Sequence, residues 1–300
     1  MRIDGRAIAA TITEQVRDHV MRLKNTGVEP KVGILTATDD VSTAYYVRSI
    51  VRAAEHSGIL AEVLALTPES DTATVRGACR HLAEDTTVHG VIAQTPFPAG
   101  IDATEVIRQI PAHKDVDGAT AESAGLLFHG LPAYAPATAQ AVMEILHAEQ
   151  IDLTGKRVTV VGRSLVVGKP LSVLLLGANA TVTVCHSRTV DLPAVCREAE
   201  ILVVAIGRPH MIGAEYVGEG ATVIDVGTNA TDGGLVGDVD FEAVAGIAGR
   251  ITPVPGGVGP VTTACLLRNI VSACECSSTS TPRRWADRTD EYSASPGAPG

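Results

Sequence analysis

The chain has 300 residues, of which 45% are hydrophobic, so it is long and apolar enough to bury the cores of two ordinary domains. Its formal net charge of -10 argues against a general nucleic-acid or anionic-membrane surface, which would need a broad positive field. No apolar run reaches membrane-spanning length, and Cys79, Cys185, Cys196, Cys265, Cys274 and Cys276 show no paired framework.

The opening Met1-Arg2-Ile3-Asp4 has no apolar signal character, so the expected compartment is the cytoplasm. Ile8, Ile12, Val16, Val20 and Leu23 recur at helical spacing, and Val32-Gly33-Ile34-Leu35 after Pro30 predicts a short strand. A helix over 43–57, a strand over 59–65, a helix over 72–84 and a strand over 90–94 continue the alternation. That order predicts an α/β fold, a sheet covered by helices on both faces. Residues 111–136 carry several prolines without strong periodicity, and 139–148 read as a helix crossing to a second domain. Parallel strands are expected there at 157–161, 180–184, 201–205 and 222–226, each a near-continuous apolar run suited to burial. The segment 262–276 reads as a helix returning to the first domain. From Ser277 onward, Ser, Thr, Pro, Arg and Gly dominate, so 277–300 is expected to be a disordered tail.

The most informative stretch is Gly162-Arg163-Ser164-Leu165-Val166-Val167-Gly168, a glycine turn between a predicted strand and a helix start. Gly162 lets the chain leave the strand at angles a side chain forbids, and the backbone N–H groups that open the helix can receive a pyrophosphate. After the next strand, Ser187 and Arg188 stand where an acidic residue normally holds the adenosine ribose of NAD. A hydroxyl flanked by Arg188 and Arg163 suits a 2'-phosphate, so NADP is the expected cofactor. Tight strand–helix packing alone would also use Gly162 and Gly168, but leaves the clustered Arg163, Ser164, Ser187 and Arg188 without a purpose. His186 reads as a structural or ribose-contact residue rather than an acid or base. Cys274-x-Cys276 is too tightly spaced for a zinc knuckle, and no metal is expected.

Several phrases occur in order: Tyr46-Val47-Arg48-Ser49, Gln94-Thr95-Pro96-Phe97-Pro98, Lys114-Asp115-Val116-Asp117-Gly118, the glycine turn with Lys169-Pro170, His186-Ser187, Asp225-Val226-Gly227, Gly237-Asp238-Val239-Asp240 and Pro253-Val254-Pro255-Gly256-Gly257-Val258-Gly259-Pro260. Together they resemble the methylenetetrahydrofolate dehydrogenase/cyclohydrolase family over roughly residues 2–275. The resemblance implies a homodimer whose subunit has two domains. A folate-binding α/β domain would span 1–136, completed by the helix 262–276, and a Rossmann-like NADP domain 137–261, with a cleft between them. It implies that Tyr46 stacks on the folate, Asp117 binds the pterin ring and Gln94 sits beside the reacting carbon, making these the catalytic residues. Position 50, Ala93 and Thr95 would line the same wall, with Pro255, Gly256, Gly257, Val258 and Gly259 closing over the substrate. Gly162, Arg163, Ser164, Ser187 and Thr228 would hold the dinucleotide. On spacing alone, Asp117-Gly118 and Pro255-Gly256-Gly257 also read as ordinary turns.

One departure bears on the chemistry. Members of the family carry a lysine four residues after the tyrosine, and here that position is Ile50. Val41, Ala44 and Thr95 stand for a family proline, glutamine and leucine. Hydride transfer needs no protein base, whereas hydrolysis of the methenyl bridge needs a proton moved, work typically worth ~10² to 10⁴-fold in rate. The expected activity is therefore NADP-dependent oxidation of 5,10-methylenetetrahydrofolate with cyclohydrolase activity weak or absent. A fully bifunctional enzyme and a catalytically silent folate- or NADP-binding partner protein stay open beside it. Ile50 also removes the key residue of a Tyr-x-x-x-Lys carbonyl reductase.

Overall fold

Burial of Ile12, Val16 and Val20 along one stripe turns the first helical repeat into α1 (Gly5–Asn25). The computed structural model describes residues 1–279 and divides the chain into two units, Met1–Gln15 with Pro136–Leu266, and Val16–Ala135 with the chain from Leu267. The tail expected from 277 falls mostly outside the described residues.

In the unit built on 16–135, β1 (Lys31–Thr36), α2 (Val41–His56), β2 (Leu60–Ala65), α3 (Thr72–Glu84) and β3 (Gly90–Ala93) follow the predicted order. They form a parallel sheet in the order β2-β1-β3, with Leu35 beside Ala93. The central β1 buries Val32, Ile34 and Leu35 completely. Both long helices start on aspartates: Asp40 Oδ2 accepts the Thr43 N–H at 2.7 Å and Asp71 Oδ1 that of Thr74 at 2.7 Å. Beyond β3 the structure adds α4 (Ala103–Ile107) and α5 (Ala121–Phe128). The second lies in a stretch whose sequence shows no period, because one or two turns are too short to establish one.

In the other unit, α6 (Ala137–Ala148), β4 (Arg157–Val161), α7 (Gly168–Gly177), β5 (Thr181–Cys185), α8 (Leu192–Arg197), β6 (Ile201–Val204) and β7 (Thr222–Asp225) precede a small hairpin, β8 (Asn229–Thr231) and β9 (Gly234–Val236). A short α9 (Phe241–Val244) and β10 (Arg250–Ile251) complete a parallel sheet ordered β10-β7-β6-β4-β5. Burial of β6 and β7 is complete, as expected, but β5 is not a buried strand: it is the sheet edge, and its Val184 is 40% exposed. The first residues also join this unit, since the Ile3 N–H donates to Ile251 O at 2.8 Å and the Ile251 N–H to Met1 O at 3.0 Å. The sequence reading groups them instead with 1–136.

The last helix, α10 (Val258–Thr279), starts ahead of the predicted 262 because Pro260 sits in its first turn, where no N–H is needed. Its Asn269 is fully buried and donates Nδ2 to Val116 O at 2.9 Å. Nearby, the buried Lys114 donates Nζ to Ala83 O at 2.8 Å and Asp85 O at 2.7 Å, closing the C-terminal end of α3. Lys114→Met keeps most of the stem and removes both charge-assisted bonds. It should lower stability by about 2 kcal/mol, seen as a reduced urea midpoint at unchanged slope.

Candidate active site

The capped start of α2 sets the phase of its side chains. Tyr46, 38% exposed, and Ile50, 1% exposed, lie one turn apart on one stripe. Tyr45, Arg48, Ser49 and Arg52 lie on other faces of the helix and line a cavity of about 320 Å³. The helix thus has two arginines, and neither shares the stripe of Tyr46.

Asp117 is held out from a braced loop. Val116 on its N-terminal side is wholly buried, and the buried Asp115 accepts the N–H groups of Ala119 and Thr120, each at 2.9 Å. Burial, and then the charge of Asp115, push the Asp117 carboxyl up to about 7. Burial, then the charge of Asp117, push the Tyr46 hydroxyl up to about 12. The two groups therefore share one electrostatic neighbourhood. Ala93, Gln94 and Thr95 run off the end of β3, where the Gln94 N–H donates to Leu35 O at 2.8 Å and Nε2 to Thr95 O at 3.0 Å.

In the other unit, Gly162 ends β4 with φ 131°, and a Cβ there would collide with Ala205 O. A Cβ on Gly168 would collide with Gly162 O, so turn and helix meet at backbone contact. Val167 leads into α7 without a side-chain cap, and its N–H donates to Ser164 Oγ at 3.1 Å. Arg163, Ser164 and Ser187 are exposed around this helix start. An uncapped N-terminus with exposed hydroxyls and a guanidinium can receive an anion, which fits a dinucleotide phosphate. His186 is occupied structurally, with Nδ1 accepting the Arg188 N–H at 3.1 Å and its own N–H donating to Thr189 Oγ1 at 2.9 Å.

Pro255, Gly256, Gly257, Val258 and Gly259 share with Thr228 and Arg6 a cavity of about 180 Å³. Gly256 has φ 103°, and a Cβ placed there would lie 3.4 Å from Arg6 Nε. Arg6 carries no signal in the sequence, since only the folded chain brings position 6 beside 256. In the wall of this cavity, the largely buried Asp225 accepts the N–H groups of Gly227 at 2.9 Å, Asp238 at 3.0 Å and Val239 at 2.9 Å. Buried Asp238 in turn accepts Ile206 at 2.7 Å, Gly207 at 2.9 Å, Arg208 at 2.8 Å and Asn229 Nδ2 at 2.9 Å. Burial pushes Asp225 up to about 6 although these N–H groups pull it down. Both aspartates occur in the family-like phrases, but their partnership does not show in the sequence. Among the described residues no cluster suited to a metal ion occurs.

Two family models match the chain: tetrahydrofolate dehydrogenase/cyclohydrolase, catalytic domain, over residues 3–117, and the NAD(P)-binding domain of the same description over 136–278. A Parafrankia protein named bifunctional protein FolD is 55% identical over 273 residues, covering 90% of this chain and 98% of that relative. The solved bifunctional FolD methylenetetrahydrofolate dehydrogenase/cyclohydrolase of Campylobacter jejuni superposes with a TM-score of 0.90 at 38% identity, covering 92% of this chain and 98% of the other. A Trypanosoma brucei methylenetetrahydrofolate dehydrogenase-cyclohydrolase solved with NADP and an inhibitor gives 0.89 at 34% identity, covering 93% and 98%.

Gly162→Ala tests the turn. The strained φ and the collision with Ala205 O should cost roughly 3 kcal/mol. Thermal unfolding should show a lowered Tm and a smaller upward shift on adding NADP than the parent protein gives.

Proposed function

The chain belongs to the tetrahydrofolate dehydrogenase/cyclohydrolase family, and from that premise we propose that it oxidises 5,10-methylenetetrahydrofolate to the methenyl form with NADP, with little or no cyclohydrolase activity. The observation that carries the second half is Ile50. It is buried on the Tyr46 stripe of α2, while Arg48 and Arg52 sit on other faces.

In this reading the Asp117 carboxylate accepts two hydrogen bonds from the amidine-like edge of the pterin, and Tyr46 stacks on the folate. Gln94 stands beside the reacting carbon, in a wall completed by Ala93, Thr95 and Ile50. The backbone of Pro255, Gly256, Gly257, Val258 and Gly259 closes on the flat ligand, and Gly162, Arg163, Ser164, Ser187 and Thr228 hold the dinucleotide. Bound NADP supplies the hydride acceptor. The cation formed as hydride leaves is stabilised by the substrate's own nitrogen, so the chain supplies position and exclusion of water rather than a base. The homodimer and the cytoplasmic setting belong to the same proposal, and the homodimer rests on the resemblance.

Hydrolysis makes a further demand, because water must add to the methenyl carbon and a proton must reach a ring nitrogen. Without a tunable amine that step lacks about 3 to 5 kcal/mol of help. A bifunctional reading has one specific observation in its favour: Arg6 lies over Gly256 in the cavity of the substrate loop. A guanidinium stays protonated at working pH, so Arg6 can steady charge without shuttling protons.

Two spectrophotometric assays on one preparation decide the matter. NADP should be reduced on adding methylenetetrahydrofolate, which a silent relative would not do, while methenyltetrahydrofolate should decay near its spontaneous rate. Rapid enzymatic decay would sink the Ile50 argument. Ile50→Lys should raise hydrolysis at least tenfold while hydride transfer stays within about tenfold, or 1.4 kcal/mol; its stability cost is measured separately by thermal unfolding.

The Asp117 carboxyl adds a pH signature. Only its ionised form accepts both pterin hydrogen bonds, so KM for the folate should fall as pH rises from 6 to 8, across a group near 7. The stability sign is opposite. A carboxyl raised on folding contributes stability present below its unfolded value and lost as pH climbs through about 7. Asp117→Asn should raise KM by about 10²-fold or more, as expected when a charged partner is lost, and flatten the pH profile.

A further inference from the structure

We infer that Asn269 is a positioning residue for folate recognition: by holding the carbonyl of Val116 it selects the backbone turn in which Asp117 presents its carboxylate to the pterin. The inference rests on the reading that Asp117 binds that ring. Two tight turns build the loop. Asp115, at φ -79° and ψ 66°, makes an inverse γ-turn closed by the Val116 N–H on Lys114 O at 2.9 Å. A β-turn then runs from Asp115 to Gly118, closed by the Gly118 N–H on Asp115 O at 3.0 Å, with Val116 and Asp117 as its central pair.

A β-turn has two common states, related by a flip of its central peptide. Flipping the Val116–Asp117 peptide takes φ of the third residue from about -90° to about +80°, which re-aims the Cβ that bears the Asp117 carboxyl. Aspartate tolerates the left-handed region better than most residues, so the local sequence does not exclude the second state. Burial of Val116 does not exclude it either, because the flip leaves the Cα atoms and the buried side chain in place. What can exclude it is a partner for the central carbonyl. Asn269 Nδ2 donates to Val116 O at 2.9 Å, and Asp117 lies outside the left-handed region. The donor is carried on a rigid element, since Asn269 is wholly buried on α10 together with Leu267, Ile270 and Val271. Its Oδ1 is buried and meets no protein donor among the described residues. An aliphatic group at this position would exchange one unsatisfied buried acceptor, Oδ1, for another, the Val116 carbonyl, so little stability hangs on the amide. The direction of the central peptide does.

The test is a double-mutant cycle of Asn269→Leu and Asp117→Asn, read with methylenetetrahydrofolate and NADP. Asn269→Leu should raise KM for the folate about tenfold, while kcat and KM for NADP stay within about threefold. In the Asp117→Asn background the same substitution should change kcat/KM for the folate less than about twofold, because no carboxylate is left to aim. An equal loss in both backgrounds, or an unchanged folate KM in Asn269→Leu, overturns the positioning role. So does a fall in kcat with a rise in KM for NADP, which would mark Asn269 as a packing residue. Should thermal unfolding show that Asn269→Leu does not fold, Asn269→Ser, too short to reach the carbonyl, completes the same cycle. Calorimetric binding of tetrahydrofolate to the four proteins needs no turnover and judges the role by the same non-additivity. Binding without turnover by the parent refutes the activity reading alone, and a parent that binds no tetrahydrofolate refutes both.

Discussion

Two buried carboxylates hold the C-terminal side of the larger sheet together. Asp225 and Asp238 gather N–H groups from 206–208, 227, 238 and 239, and the Asn229 side chain. A buried charge without such partners costs several kcal/mol, so these loops must stay where the carboxylates can reach them. Gly227 and Gly237 follow from the same constraint, since a Cβ on either would strike the partner carboxylate. Thr228 and the cavity beside the 255–259 loop are positioned as a result.

The other unit solves the same problem with different groups. Lys114 closes the end of α3, Asp115 ties the turn that follows, and Asn269 takes the carbonyl of Val116. Asp117 stands beside them, its affinity for a proton raised by burial and then by the charge of Asp115. A titratable group so shifted in a braced loop is what a ligand can use. The same logic marks Ile50 by contrast: a stripe that ends in an aliphatic side chain can shape a wall but cannot move a proton.

Much of this was legible in the sequence because it is local. Helical and strand periods, the glycine turn and the isoleucine four positions after Tyr46 each lie within a few residues, where geometry follows from spacing alone. Short elements were less legible, and α4, α5 and the β8–β9 hairpin contain too few residues to show a period. Residues 180–184 read as a buried strand because apolar and threonine residues look alike in a central and an edge strand, whereas the strand, Thr181–Cys185, is the sheet edge.

What the sequence by itself determined, then, is the alternation of elements, the glycine turn between strand and helix and the lack of an amine on the Tyr46 stripe. Tertiary structure alone decided that Arg6 lies over Gly256, that Asp225 and Asp238 share one set of loops, and that Asn269 braces the loop of Asp117 from 153 residues away. The physical reason is that such contacts depend on where separate strands and helices end in space. No spacing along the chain encodes that until the hydrophobic cores have brought those ends together.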